Sequence, residues 1–298
     1  MVVTASSYDG ARERDYVRSV SCYVIGNKRG NGMKRMWMLL IALMPVAAMA
    51  QAEEPRDLCT DRPGLGTPAC TVDKGRVVVE VGLGDWTREQ DGQSRTDTLQ
   101  TGDMLVRLGL ADHLEAQVGW TAFGHVRTRD RMSGAVDSDS GVGDVRVALR
   151  RNLSNPDRSG FSVAVMPYAS LPAGGSAIGD GDWGAGLLLP VSVDIGHGLS
   201  LELVPEIDAA VDEDRSGRHV AYGSVAGLGF DLSDKLSGTI EASLMRDDDP
   251  AGHATEALAG LSFGWQPSDD MQFDIGVNAG LNADSPDGEV YFGVVRRF

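Results

Sequence analysis

Cysteine is scarce in this chain, with three in 298 residues, too few for a disulfide-built miniprotein or a four-thiolate zinc site. Basic side chains are outnumbered, 27 against 43 acidic ones, and the formal charge is −16. Such a chain repels phosphate backbones and shows no local basic patch, so no nucleic acid is expected as a partner. Long hydrophobic runs are missing except for one near the start, which excludes a bundle of membrane-spanning helices. Aromatic residues make up only 6%. The i, i+3, i+4, i+7 spacing of an amphipathic helix is all but absent after residue 73.

The one apolar run reads as an address. Met33-Lys34-Arg35 gives a basic start, Met36 to Val46 an apolar centre, and Ala48-Met49-Ala50 a small-x-small cleavage site before Gln51. These are the parts of a secretory signal peptide, over residues 33–50. The apolar centre is shorter than the roughly 20 residues of a stable transmembrane helix, and no cysteine follows the cleavage site to take a lipid. Residues 1–32 precede a second methionine and are expected to be an upstream extension from a mis-chosen start codon. The first 50 residues hold seven of the 27 basic side chains and three of the 43 acidic ones, leaving 20 against 40 beyond them. Cys59 and Cys70 remain in the exported part. A disulfide across that short loop is expected in an oxidising compartment, with two free thiols as the alternative. Residues 51–73 are expected to form a periplasmic segment ahead of the first strand.

From residue 74 to Phe298 apolar residues recur at every second position, so this part is all β. In one stretch Leu199, Leu201, Leu203, Pro205, Ile207, Ala209 and Val211 share a face, and Ser200, Glu202, Glu206 and Asp208 share the other. About twelve such segments occur, near 74–87, 96–111, 114–126, 142–153, 161–172, 183–195, 199–211, 219–232, 236–245, 254–265, 271–281 and 288–298. An even number of long strands, with short turns on one side and longer loops at 88–95, 127–141, 173–182, 212–218, 246–253 and 282–287 on the other, predicts a closed antiparallel up-and-down transmembrane β-barrel. A secreted β-sandwich also alternates, but its polar face would not carry Glu, Asp and Arg deep inside strands opposite an apolar face free of charge. Trp86, Trp120 and Trp183 fall toward the loop side, and Phe161, Trp265, Phe273 and Phe298 toward the turn side, as two thin aromatic girdles. Phe298 also ends the last strand, where it would address the chain to the barrel assembly machinery. Outer-membrane lipid and lipopolysaccharide are the other expected partners.

Several short motifs resemble those of a large family of Gram-negative outer-membrane transporter-like proteins labelled for a meta-pathway of phenol degradation. They are Thr60-Asp61-Arg62-Pro63-Gly64, Thr71-Val72-Asp73-Lys74-Gly75 with Val79-Glu80, the run Gly109 to Glu115, Gly141 to Val145, Pro167 to Pro172 and the closing Arg297-Phe298. The resemblance covers about residues 60–298. It implies an outer-membrane barrel moving small molecules, aromatic or hydrophobic ones among them, and carries over no catalytic or binding residues. Cys59 and Cys70, bracketing the opening motif, depart from the family pattern.

The facing places Glu80, Asp103, Glu115, Asp144, Asp194, Glu202, Glu206, Asp208, Glu241, Glu256, Asp274 and Glu289 in the lumen, opposed by Arg76, Arg107, Arg146, Arg150 and Arg297. An acidic lumen favours cations and neutral polar solutes; the alternative is that these charges pair and leave no channel. The lumen would be passable only if side chains or residues 51–73 do not plug it. No enzyme is expected. The histidines His113, His125, His197, His219 and His253 lie in turns, loops or strand ends, none with a partner at metal-ligand spacing or beside a nucleophile. They read as surface histidines. Asp180, Asp182 and Asp247-Asp248-Asp249 could offer oxygen ligands to a divalent cation but lack the remaining ligands of a calcium loop, and they read as solvated loop charges. No cofactor or metal is implied. The expected function is an outer-membrane transporter or channel for a small-molecule solute; the alternative is a structural or adhesive barrel acting through acidic surface loops.

Overall fold

Period-two alternation over segments of ten residues or more commits each to an extended ladder with two unlike faces. The structure, a computed structural model, describes residues 55–175 and 177–298; the expected extension and signal peptide lie outside the described residues. The strands are β1 (Val77–Gln90), β2 (Ser94–Ala111), β3 (Leu114–Asp130), β4 (Val136–Gly141), β5 (Val145–Ser154), β6 (Phe161–Leu171), β7 (Gly184–Leu188), β8 (Val191–Gly196), β9 (Leu199–Val211), β10 (Arg218–Ser233), β11 (Leu236–Asp249), β12 (Gly252–Ser268), β13 (Met271–Gly280) and β14 (Gly288–Arg297). β4 and β5 are two pieces of one stave along β3, and β7 and β8 two pieces of another between β6 and β9. Twelve staves result. All neighbours are antiparallel, β10 pairs with both β9 and β11, and β14 pairs with β1, so the sheet closes without an edge.

Both interruptions have local causes. At Val142-Gly143-Asp144 the Gly143 amide donates to the Thr121 carbonyl at 2.8 Å, and any side chain on Gly143 would meet that of Thr121. Pro190 has no N–H for the ladder. Its carbonyl still accepts from the Ala164 amide at 2.8 Å.

The polarity of the wall is inverted relative to a water-soluble protein. Leu201, Leu203 and Ile207 on β9 are 46, 47 and 52% exposed, whereas Arg107, Glu115 and Arg150 are 0% exposed. Exposed leucine, valine, isoleucine and phenylalanine continue around the staves, far beyond the few hundred Å² of apolar patch a soluble monomer tolerates. Hydrocarbon is the solvent that suits this exterior, and closure satisfies every backbone group within it. A sandwich, which turns its apolar faces toward each other, is excluded. Trp265 and Phe273 stack on the exterior at a centroid distance of 5.7 Å, and Phe230 meets Phe263 edge-on at 6.5 Å, at the end of the wall that holds the short turns.

That end carries two-residue turns at 112–113, 197–198, 234–235 and 269–270. In the tightest, Gly196, His197 and Gly198 all have positive φ, at 82°, 58° and 71°. Both ends of the described chain lie here, so this is the periplasmic side. On the other side the loops expected at 88–95 and 246–253 are shorter than expected, because β1 and β2 pair up to Gln90 and Arg95, and β11 and β12 up to Asp249 and Gly252. Polar contacts across the ladder hold these hairpins together, Arg88 to Asp97 at 2.9 Å in one and Arg246 donating to Thr255 at 3.0 Å in the other.

Candidate functional site

Residues 56–72 have no strand neighbour, so their amides and carbonyls must find partners elsewhere. They find them on the inward faces of the staves. Lumen carboxylates accept the amides: Glu80 takes those of Asp61 and Arg62, both at 2.9 Å, Glu241 those of Leu65 and Gly66, both at 2.8 Å, and Glu115 that of Val72 at 2.6 Å. Cationic and amide side chains serve the carbonyls: Arg107 donates to Cys59 at 2.9 Å, Arg150 to Cys70 at 3.2 Å, Asn152 to Ala69 at 2.8 Å, Gln272 to Arg62 at 2.8 Å and Arg297 to Arg56 at 2.6 Å. These partners sit on β1, β2, β3, β5, β11, β13 and β14, which surround the lumen. The segment expected in the periplasm is therefore folded into the barrel as a plug, because only the lumen supplies enough donors and acceptors for it. Cys59 and Cys70 are joined by a disulfide at 2.05 Å, which closes the plug into a loop. Leu58 and Val72 pack on Val78 and Val295, a small apolar floor among charges.

At the centre of the plug, two guanidiniums and three carboxylates are out of water. Arg107 lies 3.0 Å from each of Asp61, Glu80 and Glu115. Arg150 lies 2.6 Å from Asp61 and 3.4 Å from Glu115. Arg62, also on the plug, pairs with Asp274 at 2.9 Å. Desolvation of so many charges is offset by this mutual pairing, although Asp61 Oδ1 and Arg150 Nε make no hydrogen bond. Gly64, at φ 128°, and Gly66 let the plug backbone approach Glu241 and Glu202; a side chain on either would collide with those carboxylates. Arg297 donates to Asp270 in the β12–β13 turn at 2.7 Å and holds that carboxyl below its ordinary range.

Above the plug the lumen changes character. Arg146, its side chain 44% exposed, lies over the Tyr168 ring at 3.6 Å and 4.0 Å from Glu206. The Tyr168 hydroxyl donates to Asp208 at 2.6 Å, and Asp103 accepts from Thr121 at 2.9 Å. Beside Tyr168 an inward apolar strip of Ala148, Met166, Leu188 and Val204 crosses four staves. Farther out, Glu289 accepts from Asn278 at 2.8 Å and Glu256 lies half-buried on β12. Residues 173–175 and 177–180, beyond the outer end of β6, pack beside β3 and Asp144. Asp144 pins them by accepting the amides of Gly174 at 2.9 Å and Asp180 at 2.8 Å, and Ile178 is buried against Gly124. Burial and the Asp144 carboxylate push Asp180 up from its ordinary value.

The sequence-derived lumen residues thus separate by depth. Glu80, Arg107, Glu115, Arg150, Glu202, Glu241, Asp274 and Arg297 face the plug, while Asp103, Arg146, Glu206, Asp208, Glu256 and Glu289 face the space outside it. The deeper charges pair with one another, Arg107 with Glu80 and Glu115 and Arg150 with Glu115, and also hold a polypeptide. Two features were missed. The apolar strip interrupts an inward face read as polar, although Ala148, Met166, Leu188 and Val204 do stand at the inward positions of their strands. His219, read as a surface histidine, has a side chain only 6% exposed.

A closed barrel with a hydrocarbon-facing exterior, termini on the short-turn side and an ionic interior is an outer-membrane β-barrel. The family model described as "Putative MetA-pathway of phenol degradation" matches residues 60–298, and the chain belongs to that family. No curated protein sequence matches it. Similar solved structures include the transport unit of the autotransporter AIDA-I from Escherichia coli, at TM-score 0.49 and 9% identity over 75% of this chain and 90% of that one. The NanC porin aligns at TM-score 0.46 and 10% identity over 74% and 98%, and the monoaromatic hydrocarbon channel CymD at 0.44 and 8% over 76% and 88%. These likenesses are of fold alone.

Proposed function

We propose that the protein is a channel for small, largely apolar molecules, aromatic ones among them, and that its own N-terminal segment shuts the lumen between passages. The observation that carries the reading is the change of chemistry with depth. The periplasmic end is filled and extensively paired, whereas outside it an accessible guanidinium on a tyrosine ring adjoins an apolar strip. A flat ring bearing a hydroxyl suits that neighbourhood, since it can stack, accept from Arg146 and cover Met166 and Leu188. Outside the plug the carboxylates Asp103, Glu206, Asp208, Glu256 and Glu289 outnumber Arg146, which disfavours anions and leaves neutral phenols admissible. The family description is consistent with such a solute.

Permeation of phenol across bilayers with a lipopolysaccharide outer leaflet tests this, with glucose as the polar control. The expected result is protein-dependent passage of phenol, faster than glucose. Equal passage of both would refute the solute class. Arg146→Glu should assemble normally, move the zero-current potential in a potassium chloride gradient further toward potassium, and slow phenol. An unchanged potential would remove Arg146 from the path.

The many hydrogen bonds that hold the plug, from seven strands, favour a second reading, a barrel that never conducts and acts through its acidic loops. Silence of a variant with the plug released would decide for it.

A further inference from the structure

The outer mouth holds a cluster that the channel reading leaves unused. His219 stands near the start of β10, Asp212 just past the end of β9, and Asp247 and Asp249 at the end of β11. Antiparallel register assembles them, since His219 is opposite Ala210 on one side and Ala221 is opposite Asp247 on the other. Nδ1 of His219 lies 3.0 Å from Asp212 Oδ1 and 3.2 Å from Asp249 Oδ2. Nε2 lies 2.8 Å from Asp247 Oδ1 but forms no hydrogen bond in that geometry, so a ring nitrogen of a side chain 94% removed from solvent is left without one. Three carboxylates around one imidazole leave negative charge even when the ring is protonated. The neighbouring arginines do not cancel it: Arg218 pairs with Asp182 at 2.9 Å and Arg246 with Asp248 at 2.7 Å.

The carboxylates are also held in advance. Asp249 accepts the amides of Glu213 at 2.8 Å and Ala251 at 2.6 Å, and Asp247 accepts that of Asp249 at 3.1 Å. Asp212 fills the space that a side chain on Gly217 would need. One imidazole nitrogen and two carboxylate oxygens therefore lie within 4.8 Å of one another, beside a cavity of about 260 Å³ lined by Asp212, Asp214, Asp249, Pro250 and Ala251.

We propose that His219, Asp212 and Asp249 form a zinc site, with Asp247 as a positioning residue behind the imidazole. Zinc takes nitrogen and oxygen ligands in a four-coordinate shell, here three from the protein and one water from the cavity. Calcium needs six to eight oxygens and is poorly served by this set. The Asp247 carboxylate 2.8 Å from Nε2 favours the proton on that nitrogen by its charge, leaving the Nδ1 lone pair for the ion, the place of the usual outer partner of a metal-bound histidine. The ion ties residues 212–217 to the β11–β12 hairpin, bracing the rim. The site is independent of whether the barrel conducts.

The test uses the untagged full-length mature protein in detergent, stripped with a chelator and titrated calorimetrically with zinc, calcium and magnesium separately. One zinc per chain is expected, and neither calcium nor magnesium should compete at equal concentration. His219→Gln and Asp212→Asn should each weaken zinc at least tenfold, and Asp247→Asn about 10- to 100-fold. With cobalt in place of zinc, the wild type should show the visible absorption of a four-coordinate site, and Asp247→Asn should shift it, an effect that loose packing alone would not produce. Heat-dependent gel mobility reports assembly of each variant, and the cobalt spectrum of the wild type needs no variant. Zinc affinity equal in wild type and His219→Gln, calcium competing on equal terms, or a six-coordinate cobalt spectrum would overturn the assignment.

Discussion

Replacing Arg107 with alanine should expel the plug while leaving the barrel assembled. The guanidinium is 0% exposed and contacts Asp61, Glu80 and Glu115, each at 3.0 Å. Removing it leaves those carboxylates close together and dry, with Arg150 touching only two of them. Loss of one member of a buried ionic network costs about 3–5 kcal/mol, which is large for a segment of this length. The barrel has its own ladders and lipid-facing wall, so relief comes from undocking residues 56–72. Cleavage after Arg56 by trypsin should rise by two orders of magnitude or more in Arg107→Ala, with heat-dependent gel mobility unchanged. Protection equal to that of the wild type would show that the network does not hold the plug.

Leu203→Arg and Glu206→Arg form the second test, on one strand three residues apart. Leu203 is 47% exposed on the hydrocarbon side, where an arginine costs about 2–4 kcal/mol near the midplane. Glu206 points inward, 4.0 Å from Arg146. Leu203→Arg should fail to reach the membrane as a heat-modifiable barrel. Glu206→Arg should assemble in near-normal amounts and move ion preference toward anions. Equal assembly of the two would mean that the facing of β9 is wrong.

The staves were legible because lipid outside and water within impose opposite demands at alternate positions, and β9 shows this with a single leucine face. Their upper limits were less legible. Arg88 and Arg246 look like loop residues in sequence, yet they sustain hairpins by reaching Asp97 and Thr255 across the ladder. The inward direction of Glu80, Arg107, Glu115 and Glu241 could be read from the alternation. Their task could not, because a carboxylate that accepts two backbone amides and one that lines an open pore have the same sequence pattern. Residues 51–73 could be named as a possible plug, but nothing in their sequence ties them to those carboxylates. That His219, Asp212 and Asp249 meet was not legible for a related reason: metal-ligand spacings are read along one element, and these residues come together from three strands by register.

Planar-bilayer recording of the purified protein tests the central claim most directly, with wild type and Arg107→Ala compared under the same salt gradient. A lumen shut by its own N-terminal segment predicts a wild type that stays closed for most of the record and a variant that conducts continuously, with a zero-current potential on the cation side. Continuous conductance of the same size in both would show that the segment does not close the lumen, and silence in both would show that there is no channel to close.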